Sequence, residues 1–243
     1  RVKARELLEQ IADAAWRCAD PGVQYDTTIN DWHTTPSHGR ITASNPCSEF
    51  LSNDNTSCNL ASLNLLRFLD RDGNFDIESF RHTVRVIFLA EDILISFAEL
   101  PTRKIQRNTQ ELRQIGLGYT NLGALLMSLG LAYDSDDGRA WAAAVTALMC
   151  GESYLQSTRI AEALEPFTHY EANAESVKRV LAKHRAEARK LEGGPADVVR
   201  AARSAWDEVV RRAAKYGVRN AQATVLAPTG TISFAMDADT MGC

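Results

Sequence analysis

The sequence lacks a long apolar run. No stretch of its 243 residues approaches the roughly 20 apolar residues of a membrane-spanning helix. The first residues, RVKARELLEQIADAAW, follow the spacing of an amphipathic helix and do not have the pattern of a secretory signal. We therefore expect a cytoplasmic protein without a membrane partner.

An excess of basic charge is also absent. The chain has 27 Lys and Arg against 31 Asp and Glu, for a formal net charge of -4. It therefore has no basic stripe that would neutralise a phosphate backbone, which argues against a dedicated nucleic-acid binder. This composition does not exclude single nucleotides as ligands.

Cysteine and histidine do not follow the spacing of a metal site. Neither Cys-x-x-Cys nor His-Glu-x-x-His occurs, so we predict no zinc site. Five cysteines without an export signal do not indicate a disulfide scaffold. We expect buried thiols with chemistry confined to one or two of them, and we interpret Cys18 and Cys150 as packing residues.

Helical patterns alternate with short strand-like segments along the chain. The predicted elements are helices at about 2–19, 75–98, 120–129 and 136–164, strands at about 114–118 and 223–227, irregular chain with brief strands at 23–58, and a charged helical hairpin at about 172–215. This order predicts an α/β fold with partly parallel strand pairing.

The first segment that could carry chemistry is SNPCSE, residues 44–49. In extended chain, side chains two positions apart point the same way, so Asn45, Cys47 and Glu49 would face one side. An amide can orient a substrate hydroxyl, a thiol can act as nucleophile or redox centre, and a carboxylate can act as general base. The alternative is a turn around Pro46 with a buried cysteine.

The second such segment is APTGTIS, residues 227–233. A Pro-Thr-Gly-Thr turn at a helix start would expose backbone N–H groups, with hydroxyls beside them, to an anion such as phosphate. The segment is not a Walker loop because the lysine is absent. The alternative is an ordinary capped turn.

Four ordered motifs resemble the catalytic subunit of ribonucleotide reductase. They are GRITASNPCSE at 39–49, TSCNLASLNL at 56–65, QIGLG at 114–118 and LAPTGTIS at 226–233. Within that family the adenosylcobalamin-dependent class fits best. The run GVQYDTTINDWHTTP at 22–36 resembles this class, and the interval from Cys47 to Cys58 is shorter than in the aerobic class with a metal cofactor.

The resemblance implies a ten-stranded α/β barrel made of two five-stranded halves. Residues 1–243 would form part of this catalytic barrel domain. A finger loop at about 39–58 would pass through the barrel centre with Cys47 at its tip. The charged hairpin at 172–215 would be an addition to the barrel, and the turn at 227–233 would bind the substrate phosphate.

The resemblance also implies roles for individual residues. Cys47 would become a thiyl radical that abstracts the 3' hydrogen of the ribose, and Glu49 would take the 3'-hydroxyl proton. Asn45 and Ser44 would hold the substrate, while Cys58 would be one of two thiols that reduce the 2' carbon. The phosphate would bind to Thr229, Gly230, Thr231, Ile232 and Ser233.

The implied cofactor is adenosylcobalamin, and the implied partners are a ribonucleoside di- or triphosphate and a thioredoxin-like reductant. Nucleotide effectors would bind outside this segment, and the remainder of the reductase chain would supply the thiol partner of Cys58. One alternative is therefore a fragment that stays inactive until complemented, with truncation, a split gene or an intein as the reason for the end at Cys243. Another is a glycyl-radical relative, which Glu49 and Cys58 disfavour. We expect the chain alone to be poorly soluble or oligomeric, because a partial barrel exposes strand edges.

Overall fold

A computed structural model describes residues 2–243. Its helices are α1 Ala4–Cys18, α2 Asp26–Asp31, α3 Ile77–Phe97, α4 Arg103–Leu112, α5 Leu122–Ser128, α6 Asp136–Leu164, α7 Tyr170–Arg189, α8 Ala196–Tyr216 and α9 Ile232–Ala235. Its strands are β1 Asn59–Asn64 and β2 Ile115–Thr120, and two short 3-10 helices cover Pro36–His38 and Leu65–Phe68. No helix among residues 2–243 is long and apolar enough to cross a membrane.

The two strands are parallel, which agrees with the predicted partly parallel pairing, although β1 was not among the predicted strands. β1 and β2 pair in register from Asn59 opposite Ile115 to the carboxyl ends of both strands. Residues 222–226 run parallel along the other side of β2, where Leu117 and Thr224 form a bridge. The N–H of Ile115 donates to Gln222 at 2.9 Å, which fixes this third segment beside the start of β2. Within residues 2–243 the sheet does not close, so the ten-stranded barrel stays a prediction.

Helix α3 shows why the long apolar segments fold as helices. The Asp76 carboxylate accepts the N–H of Ser79 at 3.0 Å, which caps the first turn. The helix buries one face, including Phe80, Val84 and Phe88, against the sheet and α6. Packing of this apolar face stabilises the helix more than its intrinsic propensity does.

The predicted charged hairpin corresponds to α7 and α8. Gly193 and Gly194 connect them with φ angles of 71° and 72°, a backbone conformation that glycine adopts without steric cost. Its charged residues face solvent, but α8 also has an apolar face that buries Trp206 and Val209 against α6. The hairpin is therefore part of the core as well as a charged surface.

The structure corrects two predictions about the first 60 residues. Cys18 is exposed rather than packed, because no residue of α1 is buried and its apolar side chains, such as Trp16 at 86% exposure, contact no core. Residues 26–31 form α2 where irregular chain was expected. The brief strands expected at 23–58 reduce to one bridge between Ser44 and Leu51.

Candidate active site

The predicted finger loop turns back on itself at its tip. Ser44 and Leu51 form an antiparallel bridge. Between them, the N–H of Phe50 donates to Asn45 Oδ1 at 2.9 Å, and Ser48 has a φ of 64°. Residues 45–49 are therefore not extended, so the expectation that alternate side chains share one side is wrong. The turn alternative describes the backbone correctly.

The loop tip exposes Cys47. Its thiol faces solvent, so the alternative of a buried cysteine is wrong. Asn45 uses its side-chain oxygen to hold the loop, which leaves the amide nitrogen for a ligand. The Ser44 hydroxyl donates to the Asn45 carbonyl oxygen at 2.9 Å, so it also supports the loop.

Glu49 turns inward from the tip. One of its carboxylate oxygens, Oε2, is buried and has no hydrogen-bond partner among residues 2–243. The side chain lines a cavity of about 410 Å³ together with Gln114, Cys150 and Thr224. A cavity of this size matches a small-molecule site. An unpartnered carboxylate oxygen at such a site can accept a proton or a hydrogen bond.

Cys58 lies directly before β1 and is half-buried. A Cβ atom on Gly116 would overlap the Cys58 sulfur, so the glycine of β2 makes room for this thiol. Burial, followed by the charges of Glu91 and Glu49, raises the pKa of Cys58 to about 12. The structure therefore brings Glu49 and Cys58 into one electrostatic environment and keeps the thiol protonated at neutral pH.

Glu91 on α3 was not predicted. Its side chain is 3% exposed, and neither carboxylate oxygen has a hydrogen-bond partner among the described residues. Burial raises its pKa to about 8. The next residue, Asp92, is satisfied by Arg113 Nε at 2.9 Å and by Asn220 Nδ2 at 2.8 Å. An acid inside the apolar run FLAEDILI was the available sequence signal.

The predicted phosphate-binding turn uses its hydroxyls internally. Thr229 Oγ1 donates to Thr120 Oγ1 at 3.0 Å, and Ser233 Oγ donates to Thr229 Oγ1 at 2.9 Å. Thr229 and Ser233 are buried, so the expectation that their hydroxyls face an anion is wrong. Thr120, the last residue of β2, contacts both of these hydroxyls, so they lie at the carboxyl end of the strand.

The exposed part of the turn is its backbone. In the described part of the chain, the N–H groups of Gly230, Thr231 and Ile232 have no acceptor. These three groups are what the turn could offer to a phosphate. Helix α9 begins here but has only 4 residues, so a helix dipole adds little.

The predicted site residues form two groups. Glu49 and Cys58 lie near the starts of β1 and β2, with Cys47 on the loop beside them. The turn at 227–233 follows the third parallel segment and lies toward the opposite end of the strands. Residues 2–243 contain no group of three or more side chains that could hold a metal ion.

Comparison with known proteins identifies the family. Residues 1–243 match the family model described as ribonucleotide reductase, barrel domain. The chain is 51% identical over 240 residues to a vitamin B12-dependent ribonucleotide reductase of Rhodopirellula baltica, covering 98% of this chain and 23% of that protein. It is 52% identical to a protein of the same name from Streptomyces coelicolor, covering 99% of this chain and 26% of that protein.

A more distant relative carries a related name. A vitamin B12-dependent ribonucleoside-diphosphate reductase of Mycobacterium tuberculosis is 31% identical over 96% of this chain and 28% of that protein. The chain spans about a quarter of the length of these curated relatives. Because the family model covers every residue, the chain belongs to the ribonucleotide reductase barrel-domain family.

Proposed function

We propose that the protein carrying this chain reduces ribonucleotides to 2'-deoxyribonucleotides through a thiyl radical on Cys47. The observation that supports this most directly is the loop geometry. An exposed thiol lies at the loop tip, Glu49 turns inward to a cavity that Gln114 also lines, and Cys58 lies directly before β1. Family membership supports the same reaction.

We assign adenosylcobalamin as the cofactor because relatives that are 51% and 52% identical to this chain are named vitamin B12-dependent. The exposed Cys47 thiol fits this assignment, since a large radical generator can reach it without displacing the loop. When bound, the cofactor supplies the radical that takes the hydrogen atom from Cys47. The remaining steps belong to the protein and the substrate.

Cys47 and Glu49 have different roles in the first step. The sulfur of Cys47 abstracts the 3' hydrogen of the ribose, and the Glu49 carboxylate takes the proton of the 3' hydroxyl. Its unpartnered Oε2 is free to accept that proton. Asn45 orients the ribose through its amide nitrogen, because its oxygen already accepts the N–H of Phe50.

Cys58 reduces the 2' carbon together with a second thiol from the remainder of the reductase chain. Because its pKa is raised to about 12, Cys58 holds its proton until the reaction. The two thiols give two electrons and two protons, the 2' hydroxyl leaves as water, and the sulfurs form a disulfide. Cys47 then returns its hydrogen to the 3' carbon, and Glu49 returns its proton to the 3' oxygen. A thioredoxin-like dithiol then opens this disulfide.

The substrate is a ribonucleoside di- or triphosphate. The N–H groups of Gly230, Thr231 and Ile232 bind its phosphate, while the buried hydroxyls of Thr229 and Ser233 hold the turn in shape. The base and effector contacts come from the remainder of the reductase chain.

The radical assignment is tested by rapid-freeze paramagnetic resonance. The intact reductase is mixed with adenosylcobalamin and ribonucleotide, and the native protein is compared with Cys47→Ala. We expect a thiyl signal that is lost in this variant. Cys18→Ala is the matched control, since Cys18 is also an exposed thiol. A thiyl signal that survives in Cys47→Ala would contradict the assignment.

A second candidate is an inactive fragment, favoured by the share of the relatives that the chain covers. In that case the chain supplies Cys47 and Cys58 but turns over only with the missing portions. Comparing the chain alone with the chain co-expressed with those portions tests this candidate. Activity that appears only on complementation supports the fragment, while no activity with cofactor, nucleotide and dithiol contradicts both candidates.

A further inference from the structure

Most of the buried side-chain polar atoms that lack a partner lie around Cys58. Within residues 2–243 these atoms are Glu49 Oε2, Asn59 Nδ2, Gln114 Oε1 and both carboxylate oxygens of Glu91, with Arg203 Nε and Arg219 Nε elsewhere. Buried polar groups in folded proteins are rarely left without a hydrogen bond. These groups form one polar cluster near the starts of β1 and β2.

Glu91 lies at the same end of β2 as Cys58. The neighbouring Asp92 is bonded to Arg113, two residues before β2 begins. The Cys58 sulfur occupies the space beside Gly116, which is the second residue of β2. Helix α3, which carries Glu91, packs against both strands. When it is ionised, Glu91 is the charged group that raises the pKa of the Cys58 thiol most, after burial.

The charges around Glu91 leave it neutral at neutral pH. Asp92 and Arg113 satisfy one another, Glu49 from the loop has the same sign as Glu91, and Cys58 is protonated. Burial alone raises the pKa of Glu91 to about 8. The carboxyl group therefore holds a proton, and it is a stronger acid than the Cys58 thiol, whose pKa is about 12. A proton passes from Glu91 to a Cys58 thiolate in the favourable direction.

We propose that Glu91 is the acid that returns a proton to Cys58 when its disulfide is opened. This inference rests on the proposed function of Cys58. An external dithiol attacks the partner sulfur, the S–S bond breaks, and the electron pair stays on Cys58 sulfur. Glu91 gives that sulfur its proton and recovers one from solvent, while the dithiol is oxidised to a disulfide.

The test measures how fast the Cys58 disulfide is reduced in the intact reductase. The enzyme is oxidised by one turnover and then reduced with a phosphine over a pH range that brackets 8, the pKa of Glu91. A phosphine is used because it has no thiol, and its own protonation is corrected for by the rate at which it reduces a small-molecule disulfide at each pH. Samples are quenched in denaturant with a maleimide, and labelled Cys58 is quantified by mass spectrometry.

Three variants separate proton donation from a structural role. Glu91→Gln keeps the volume but has no acidic proton, whereas Glu91→Asp keeps the acid. Glu99→Gln is the matched control, because Glu99 is an exposed acid beyond the end of the same helix. We expect native rates to fall as pH rises through about 8, and Glu91→Gln to be slower at neutral pH by at least about tenfold, without that pH dependence. In Glu91→Asp and Glu99→Gln the reduction rate should still decrease as the pH rises.

The outcomes distinguish this proposal from the proposed function. Equal rates and equal pH profiles in Glu91→Gln and native enzyme overturn the role of Glu91 alone. A native profile that is flat through pH 8 overturns it without any variant. If turnover leaves no Cys58 disulfide, the proposed role of Cys58 is wrong, and the role of Glu91 is overturned with it.

Discussion

The sulfur of Cys58 lies where a side chain on Gly116 would be. Gly116 belongs to the QIGLG motif, and Cys58 belongs to the TSCNLASLNL motif, so two separate motifs meet at one contact. At Gly116 the backbone of β2 and the Cys58 thiol therefore approach each other closely. The contact makes the glycine a requirement for the position of Cys58.

Gly116→Ala should therefore destabilise the protein and displace Cys58. The added methyl group overlaps a sulfur atom and the Leu60 side chain, and overpacking of this kind typically costs about 1–3 kcal/mol. Urea unfolding measures the cost. Gly22→Ala is the control, because nothing lies within 4 Å of a Cβ at that position. Equal destabilisation by both substitutions would show that Cys58 does not occupy this space.

The five cysteines should react with iodoacetamide at very different rates. Cys18, Cys47 and Cys243 are exposed. Burial raises the pKa of Cys58 to about 12 and that of Cys150 to about 11, so these two carry little thiolate at neutral pH. We expect both to be alkylated at least about tenfold more slowly than Cys47.

Mass spectrometry of the alkylated peptides gives all five rates in one experiment. The chain unfolded in urea is the control, because the differences should disappear when burial is lost. Labelling of Cys58 as fast as Cys47 in the folded chain would contradict the burial of the Cys58 thiol. This measurement does not depend on cofactor or substrate.

Glu91 should make the stability of the protein decrease with pH. The folded state keeps the Glu91 proton up to about pH 8, whereas the unfolded chain loses it near the ordinary value of 4.5. Between these values the folded state binds one more proton, so the free energy of unfolding falls as pH rises. At ~1.4 kcal/mol per pH unit, the total decline between pH 4.5 and about 8 is on the order of 5 kcal/mol.

Urea unfolding at several pH values across this window checks the effect. Glu91→Gln should remove this part of the pH dependence, because the amide does not ionise. Glu9→Gln, a change of an exposed acid on α1, should leave it in place. Parallel stability curves for native protein and Glu91→Gln would mean that Glu91 ionises normally in the fold.

Local patterns predicted α3 and α6 well. Helix α6 begins directly after Ser135, whose side chain accepts the N–H of Gly138 at 3.0 Å. These features depend on residues within one turn or one strand, so the sequence alone contains them. The four motifs likewise predicted the family that the comparisons identify.

Features that depend on distant contacts were not predicted. The side of α3 that faces the sheet decides whether Glu91 is buried, and no local pattern specifies it. The expected extended conformation around Cys47 failed because Ser48 adopts a left-handed conformation and Asn45 closes the turn. Cys18 was assigned to the core by its residue type, but α1 has no neighbour that would bury it.

The buried hydroxyl group of Thr120 should control the shape of the phosphate-binding turn. Thr120 is 0% exposed and contacts the hydroxyls of Thr229 and Ser233, which lie 109 and 113 residues further along the chain. Thr120→Val keeps the side-chain shape but leaves both partners without this bond. The loss of a buried hydrogen bond typically costs about 1–3 kcal/mol when a partner stays unsatisfied.

Thr120→Val should therefore lower the free energy of unfolding and also weaken nucleotide binding by the intact reductase, although Thr120 itself faces no ligand. Urea unfolding measures the first effect, and equilibrium binding of a ribonucleoside diphosphate measures the second. Thr27→Val, on the exposed surface of α2, is the matched control. If Thr120→Val lost stability but bound nucleotide as native protein does, the turn would not depend on these hydroxyls for its shape. If both the free energy of unfolding and the nucleotide affinity decreased, this would support a turn whose shape depends on the buried hydroxyls and whose backbone binds phosphate.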